Sequence, residues 1–346
     1  MSAQRPVLLT GAAGFIGFHV AQRLLAAGRR VVGYDSLSPY YDPSLKAARL
    51  AQLSTCAGFS FHHADLCDFD RLRDVFVRER PAQVVHLAAQ AGVRYSREAP
   101  RSYIDSNVVG FFHVLEACRH QAADAAVQHL VFASTSSVYG ASTRLPLSEH
   151  DGTDHPLSLY AATKKANEAM AHSYSHLYGI AVTGLRFFTV YGPWGRPDMA
   201  PMKFTRAILA GEPIEVFNHG HHQRDFTFVD DVAESVVRIT DRPPQPNSDW
   251  NSAALDPATS SAPYRLYNVG NSQPVQLMDF IRLLEQTLGR TAVLNLRPRE
   301  PGDVADTLSD SRDLAFAIGF RPATPIEQGV ARFVDWYRAY YPAALK

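Results

Sequence analysis

Three sets of residues in this chain have the types and spacing to do chemistry together. The first is Tyr160 and Lys164 in Tyr160-Ala161-Ala162-Thr163-Lys164. On a helix, positions i and i+4 share a face. An ammonium beside a phenol favours the phenolate, so a group that ionises near about pH 10 becomes usable as a base closer to neutrality. Alone, the pair reads more simply as a surface helix with an incidental tyrosine and lysine. The second set is the hydroxyl run Ser134-Thr135-Ser136-Ser137, which follows the apolar stretch Leu130-Val131-Phe132-Ala133. If that stretch is a strand, the hydroxyls stand at its carboxyl end, where ligands bind in open parallel sheets. The third set is Gly11-Ala12-Ala13-Gly14-Phe15-Ile16-Gly17, between the apolar run Val7-Leu8-Leu9 and a helix-like stretch closed by Gly28. Strand, glycine turn and helix form a dinucleotide-binding opening. Gly11 permits the tight turn and Gly17 lets the helix pack close to the strand. Gly14, lacking Cβ, lets a pyrophosphate approach the backbone at Phe15 and Ile16, where free N–H groups and the helix dipole attract it.

The elements that must position these groups can be read outward from the glycine turn. Val31-Val32-Gly33-Tyr34-Asp35 is a second strand ending in an acid. A carboxylate there grips the adenosine ribose hydroxyls and repels a 2′-phosphate, so the cofactor expected is NAD rather than NADP. Lys46, in the helix-like run after the loop from Ser36 to Asp42, reads either as a cofactor contact or as a solvated surface lysine. Phe59 to His63 reads as a third strand, with Asp65 and Leu66 at its end placed to border the adenine. Val84-Val85-His86 with Leu87, Ala88 and Ala89 is a fourth strand running into small residues that allow close approach of a ligand. Tyr103 to His120 has helical periodicity through Ile104, Val108, Phe111, Phe112 and Leu115. The fifth strand carries the hydroxyl run, and a helix is expected from Asp154 to Gly179. Strand–helix alternation over five rounds predicts an α/β fold with a parallel sheet.

Beyond Gly179 the alternation breaks into a strand at 183–188, helices at 202–209, 278–288 and 330–340, and a strand at 214–217. The histidines at 219, 221 and 222 have no matching thiolate or carboxylate set and read as a solvated turn, so no metal is expected. The stretch 241–263, rich in Pro, Ser and Asn, reads as an exposed, mobile insertion. Lys plus Arg and Asp plus Glu both number 34, so the formal net charge is zero, which points away from nucleic acid and membrane surfaces. Three scattered cysteines and the lack of a signal-like or membrane-spanning apolar run fit a reduced, cytoplasmic protein.

Over nearly its whole length the chain resembles the extended short-chain dehydrogenase/reductase family, and within it bacterial UDP-glucuronate 4-epimerases. The stretches that carry the likeness are LAAQAGVRYS from Leu87, SLYAATKKANEAMAHSYSHL from Ser158, LRFFTVYGPWGRPDM from Leu185, VFNHG from Val216, and Arg224 to Asp231. The resemblance implies a Rossmann-type doubly wound parallel sheet in an NAD domain, residues 1–182 with re-entry at about 228–270, and a smaller α/β nucleotide-sugar domain, 183–346. It implies Thr135 and Tyr160 as catalytic groups, with Lys164 holding the nicotinamide ribose and Asn107 as the family's buried asparagine, which reads equally as a cofactor contact or a structural residue. It also implies Phe217 against uracil, Arg224 on the diphosphate, Asp303 on the uridine ribose, and Thr189, Arg196 and Arg94 in the substrate pocket. Ser136 and Ser137 are expected to donate to a sugar carboxylate. Glu300 stands where relatives carry a glutamine. A homodimer through the helices around 103–120 and 160–178 is implied. The expected activity is 4-epimerisation of UDP-glucuronate to UDP-galacturonate through a 4-keto sugar. The alternatives are a UDP-glucose 4-epimerase, a dehydratase or decarboxylase of the same fold, or a non-catalytic NAD-sensing protein. The eliminating and decarboxylating relatives place an acid after the active-site threonine, where this chain has Ser136.

Overall fold

The computed structural model describes residues 5–299 and 306–342. Twelve strands follow in chain order: β1 (Val7–Thr10), β2 (Val31–Asp35), β3 (Phe59–His63), β4 (Gln83–His86), β5 (His129–Thr135), β6 (Val182–Phe187), β7 (Thr189–Tyr191), β8 (Pro213–Val216), β9 (Gln223–Phe228), β10 (Tyr264–Val269), β11 (Pro274–Gln276) and β12 (Val293–Leu296). Seven of them form one parallel sheet in the order β3-β2-β1-β4-β5-β6-β10. The apolar runs are near-continuous because both faces are covered. Val7 and Leu9 face one layer, with Phe18, Leu24, Val232 and Val236. Leu8 faces the other, with Val75, Phe76, Phe111 and Leu115. The strand order reverses between β1 and β4, which opens a crevice at their carboxyl ends.

The chain returns to this sheet late. β10 pairs with β6, helix Val229–Thr240 packs beside helix Phe15–Ala26, and Leu314 and Ile318 of helix Arg312–Ile318 join the same layer. The remaining strands build a three-stranded sheet, β11-β9-β7, and a parallel pair, β12-β8. Around them a second core gathers Phe226, Phe228 and Phe280 with Phe333, Val334 and Tyr337.

Two elements depart from the sequence reading. The expected helix 103–120 is interrupted: Pro100–Tyr103 and Gly110–Arg119 are α-helical, but Ile104–Val109 is a π-helical turn. The helix expected from Asp154 begins at Leu159, where the Ser158 side chain accepts from the Ala161 N–H, and it ends at Gly179 in the left-handed conformation. The stretch 241–263 is mostly exposed, as expected, and makes a few bonds within itself and to its neighbours. Asn247 N–H donates to the Ser260 carbonyl, Leu266 N–H to that of Ala258, and Asp256 meets His150 at 2.8 Å.

Candidate active site

At the carboxyl ends of β1, β2, β4 and β5 lies a cleft of 730 Å³. One wall is the glycine turn. Gly11 has φ of 73°, and a Cβ there would stand 2.7 Å from the Ala88 nitrogen, so the turn and the chain just after β4 approach this closely only because the residue is glycine. Helix Phe15–Ala26 begins at Gly14 with no side-chain cap, which leaves its first N–H groups for a ligand. Asp35, at the end of β2, accepts from Ala13 N–H at 3.1 Å and Leu37 N–H at 2.8 Å, and its carboxylate also borders the cleft. An uncapped helix start behind a bare glycine turn, with an acceptor beside it, fits a dinucleotide. Phe15, Ile16, Gly17, Lys46, Asp65, Leu66, Leu87, Ala88 and Ala89 line the same space. Burial lowers the Lys46 pKa against the pull of Asp35, and its ammonium donates to the Ser38 carbonyl at 2.7 Å.

The chemistry-bearing groups stand opposite. Tyr160, Ser134, Thr135, Ser136 and Ser137 all line the cleft. Burial raises the Tyr160 pKa, while a hydrogen bond with Thr135 and the nearby charge of Arg196 lower it. Lys164 is not among the groups acting on the phenol. It is fully buried, donates to the Ala133 carbonyl at 2.9 Å and to Asn167 Oδ1 at 3.4 Å, and is pushed down to about 8 by burial against the pull of Glu168. The i,i+4 spacing does place both residues on the face toward β5, and the ammonium gives one of its donors to the strand's carbonyl. Below the hydroxyl run, Glu168 accepts from Ser134 Oγ at 2.6 Å and pairs with Arg186 at 2.9 Å, a buried ion pair that fixes the end of β5.

The third wall carries Thr189, Arg94 and Arg196. Arg196 is gripped by Asp198, Nε to Oδ1 at 3.0 Å and Nη2 to Oδ2 at 2.5 Å, and Tyr40 donates to the same carboxylate at 3.0 Å. The Arg94 guanidinium lies 4.0 Å over the Phe217 ring. Among the described residues Phe217 and Arg224 are not on the cleft wall. Arg224 contacts His222 Nδ1 at 3.0 Å and donates to the Gln223 carbonyl at 3.2 Å. Asn107 is off the wall as well: its amide bridges Gln90 and Thr163, and its carbonyl accepts from Asn167 at 2.6 Å. Its position in the π turn ties the loop after β4 to the Tyr160 helix, which is a structural task. Asp303 and Glu300 lie outside the described residues. No group of metal-ligating side chains occurs among the described residues.

Residues 7–253 match the NAD dependent epimerase/dehydratase family. The chain belongs to that family. It is similar to Protein CapI of Staphylococcus aureus, 53% identical over 97% of this chain and 99% of that one. It is 48% identical to the probable UDP-glucuronate 4-epimerase of Rhizobium meliloti (strain 1021), over 97% of this chain and 98% of the relative. Among solved structures it resembles the UDP-glucuronic acid 4-epimerase of Bacillus cereus, crystallised with UDP-glucuronic acid and NAD. That likeness has a TM-score of 0.85 at 30% identity and covers 97% of this chain and 100% of that one.

For an epimerase/dehydratase-family protein, the cleft also contains residues that the sequence reading passed over. Tyr40, Tyr41, Asp198 and Lys203 line it. The signal for Tyr40 and Tyr41 was present as a tyrosine-bearing loop directly after Asp35. Asp198 and Lys203 had only their nearness to Arg196 to mark them.

Proposed function

We propose that this protein interconverts UDP-glucuronate and UDP-galacturonate with NAD as a cofactor that stays bound between turnovers. One observation carries the reading: Tyr160, Arg196 and the hydroxyl-bearing Thr135, Ser136, Ser137 and Thr189 line the same cleft that the glycine turn and Asp35 border. A 4-epimerase needs a base at the sugar 4-hydroxyl, and a uronate needs a fixed cation and hydroxyl donors for its carboxylate.

Bound NAD supplies a reversible hydride acceptor and donor for the sugar C4. Tyr160, as phenolate, takes the proton from the 4-hydroxyl and returns it to the C4 oxygen once the keto sugar has turned its other face to the cofactor, while Thr135 holds the phenol in place. Oxidation at C4 puts a ketone β to the C6 carboxylate, and such an acid loses carbon dioxide when the breaking C5–C6 bond aligns with the carbonyl π-system. Ser136, Ser137 and Thr189 hold the carboxylate out of that alignment through charge-assisted hydrogen bonds, and Arg196 offsets its charge. No side-chain acid follows Thr135 to protonate the sugar, which disfavours elimination. Phe217, Arg224 and Asp303 are assigned to the uridine diphosphate, with Arg94 at the junction, and Lys164 to the nicotinamide ribose.

We further propose the NAD-binding and sugar-binding division of the chain given by its family likeness, a cytoplasmic location, and a homodimer. Among the described residues no helix is long and apolar enough to cross a membrane. The apolar residues Ile104, Phe112, Leu177 and Tyr178, exposed by 39, 42, 63 and 42%, support pairing through the helices that carry them. The deciding experiment is incubation of purified protein with UDP-glucuronate, with products identified by NMR. UDP-galacturonate at equilibrium supports the reading. A UDP-pentose as sole product, or turnover of UDP-glucose alone, overturns it.

A further inference from the structure

Arg49, on helix Pro43–Ser54, is completely buried. Its Nη1 donates to the Ala13 carbonyl and to the Tyr41 hydroxyl, both at 2.8 Å, and its Nη2 donates to the Trp194 carbonyl at 2.6 Å. Its Nε has no partner, and all three acceptors are neutral. A guanidinium so deeply buried is normally matched by a carboxylate, because desolvation of an unmatched charge is costly. Arg49 forms no ion pair among the described residues, so its charge is left to act on something else.

The two carbonyls it joins belong to the segments that form two different walls of the cleft, the glycine turn and the loop that carries Arg196. Ala13 lies inside the glycine turn. Trp194 lies in the loop that presents Arg196, two residues later. Trp194 has φ of 62°, a conformation that bulky side chains rarely adopt, and its ring is wedged 5.5 Å from Phe18, 5.4 Å from Trp336 and 5.0 Å from Tyr340. The neighbouring Pro193 carbonyl receives a bond from His19 at 3.0 Å; His19 is pushed down to about 4, chiefly by burial, and so stays neutral. The same helix is preceded by Tyr40, whose hydroxyl holds Asp198 and through it Arg196. The segment that follows the ribose-reading Asp35 therefore reaches the substrate wall twice, once through Tyr40 and once through Arg49.

We propose that Arg49 is a positioning residue that couples the cofactor turn to the substrate loop. It touches neither ligand. Its unmatched charge beneath the turn is offset by the cofactor diphosphate, and its fork fixes the Trp194 backbone so that Arg196 faces both Tyr160 and the sugar carboxylate. The inference rests on the reading of the cleft as an NAD and UDP-uronate site.

Two variants test it, Arg49→Met and Arg49→Lys, each checked for folding by circular dichroism and thermal unfolding. NAD binding is measured by calorimetry on protein stripped of cofactor. kcat, KM for UDP-glucuronate and the pH profile are measured with NAD saturating, wild type alongside. Arg49→Met removes the charge and lowers NAD affinity about tenfold or more. Arg49→Lys keeps the charge but cannot hold both carbonyls in one plane. It retains NAD within about threefold, raises KM about tenfold, and moves the limb of the pH profile set by Tyr160 upward, because Arg196 no longer lowers the phenol. NAD binding by Arg49→Met equal to wild type, or an unmoved KM and pH limb in Arg49→Lys, overturns the proposal, and a lower melting temperature with both unchanged shows a structural clamp only. If Arg49→Met does not fold, the lysine variant decides. If wild type does not turn over UDP-glucuronate, the substrate reading fails, while NAD calorimetry on the two variants still decides the role at the turn.

Discussion

The phenol of Tyr160 is under opposed influences. Burial raises its pKa above the ordinary phenol value, and Thr135 and Arg196 offset only part of that rise. The two groups that oppose the rise line the cleft on the side proposed for the substrate. Tyr160→Phe removes the proton acceptor and almost no volume. We expect turnover to fall by about 10²–10⁴, with NAD still bound, read by activity assay and cofactor absorbance on the same sample. Near-normal turnover removes Tyr160 from the mechanism. Thr135→Ala leaves the phenol in place but takes away the hydrogen bond that lowers its pKa. The rising limb of the pH–rate profile should then move to higher pH. A lower rate with an unmoved limb means that Thr135 contacts only the sugar.

At the scale of elements, the glycine turn and β2 act as one unit, because the Asp35 carboxylate accepts from Ala13 N–H as well as bordering the cleft. Asp35→Asn keeps an acceptor for that N–H and removes the charge that repels a 2′-phosphate. Calorimetry on stripped protein should show the preference for NAD over NADP reduced by about tenfold. An unchanged ratio means that Asp35 does not read the ribose. This unit was legible in the sequence because a buried parallel strand, a glycine turn and a terminal acid are all local signals. The helix after β4 was legible only in part. Its period predicted a helix through Ile104, Val108, Phe111, Phe112 and Leu115, of which Phe111 and Leu115 are buried while Ile104 and Phe112 are 39 and 42% exposed. The π turn at Ile104–Val109 interrupts that helix, and it is held by the bonds of Asn107 to Gln90, Thr163 and Asn167. Such tertiary bonds override a periodic pattern without leaving any trace in it. The same holds for Arg49 and Trp194, and for Tyr40 and Asp198, whose pairings span most of the first half of the chain. The Tyr160–Lys164 spacing was legible, but what the lysine does was not, since spacing fixes a face and not a partner.

At the scale of the whole molecule, the sheet edge at β10 and the late C-terminal segments are joined at one buried point. Asn268 on β10 donates from Nδ2 to the Leu147 carbonyl at 2.9 Å, the Asp310 carbonyl at 3.1 Å and Glu149 Oε2 at 3.1 Å, and it accepts from Tyr139 at 2.6 Å. Leu147 in turn bonds Leu308 at 2.8 Å and Asp310 at 2.9 Å. Glu149 is raised to about 7, first by burial and then by Asp313. Beside it, the pKa of His150 is raised: burial works against its charge, but Asp256 and Asp313 outweigh it. Both shifts have the same sign. A group whose folded pKa lies above its unfolded value contributes stability that is full below the unfolded pKa and is lost as pH rises through the folded one. Stability at this joint should therefore fall between about pH 5 and pH 8. Glu149→Gln mimics the protonated acid and removes the larger part of that dependence. The upper bound for a group shifted this far is about 3 kcal/mol. We expect the variant to melt with wild type at pH 5 and several degrees above it at pH 8, at about 2–4 °C for each kcal/mol. Scanning calorimetry at the two pH values checks this. A difference between variant and wild type that is the same at both would show that Glu149 does not titrate in the joint, and would leave the pH dependence to His150 and its two carboxylates.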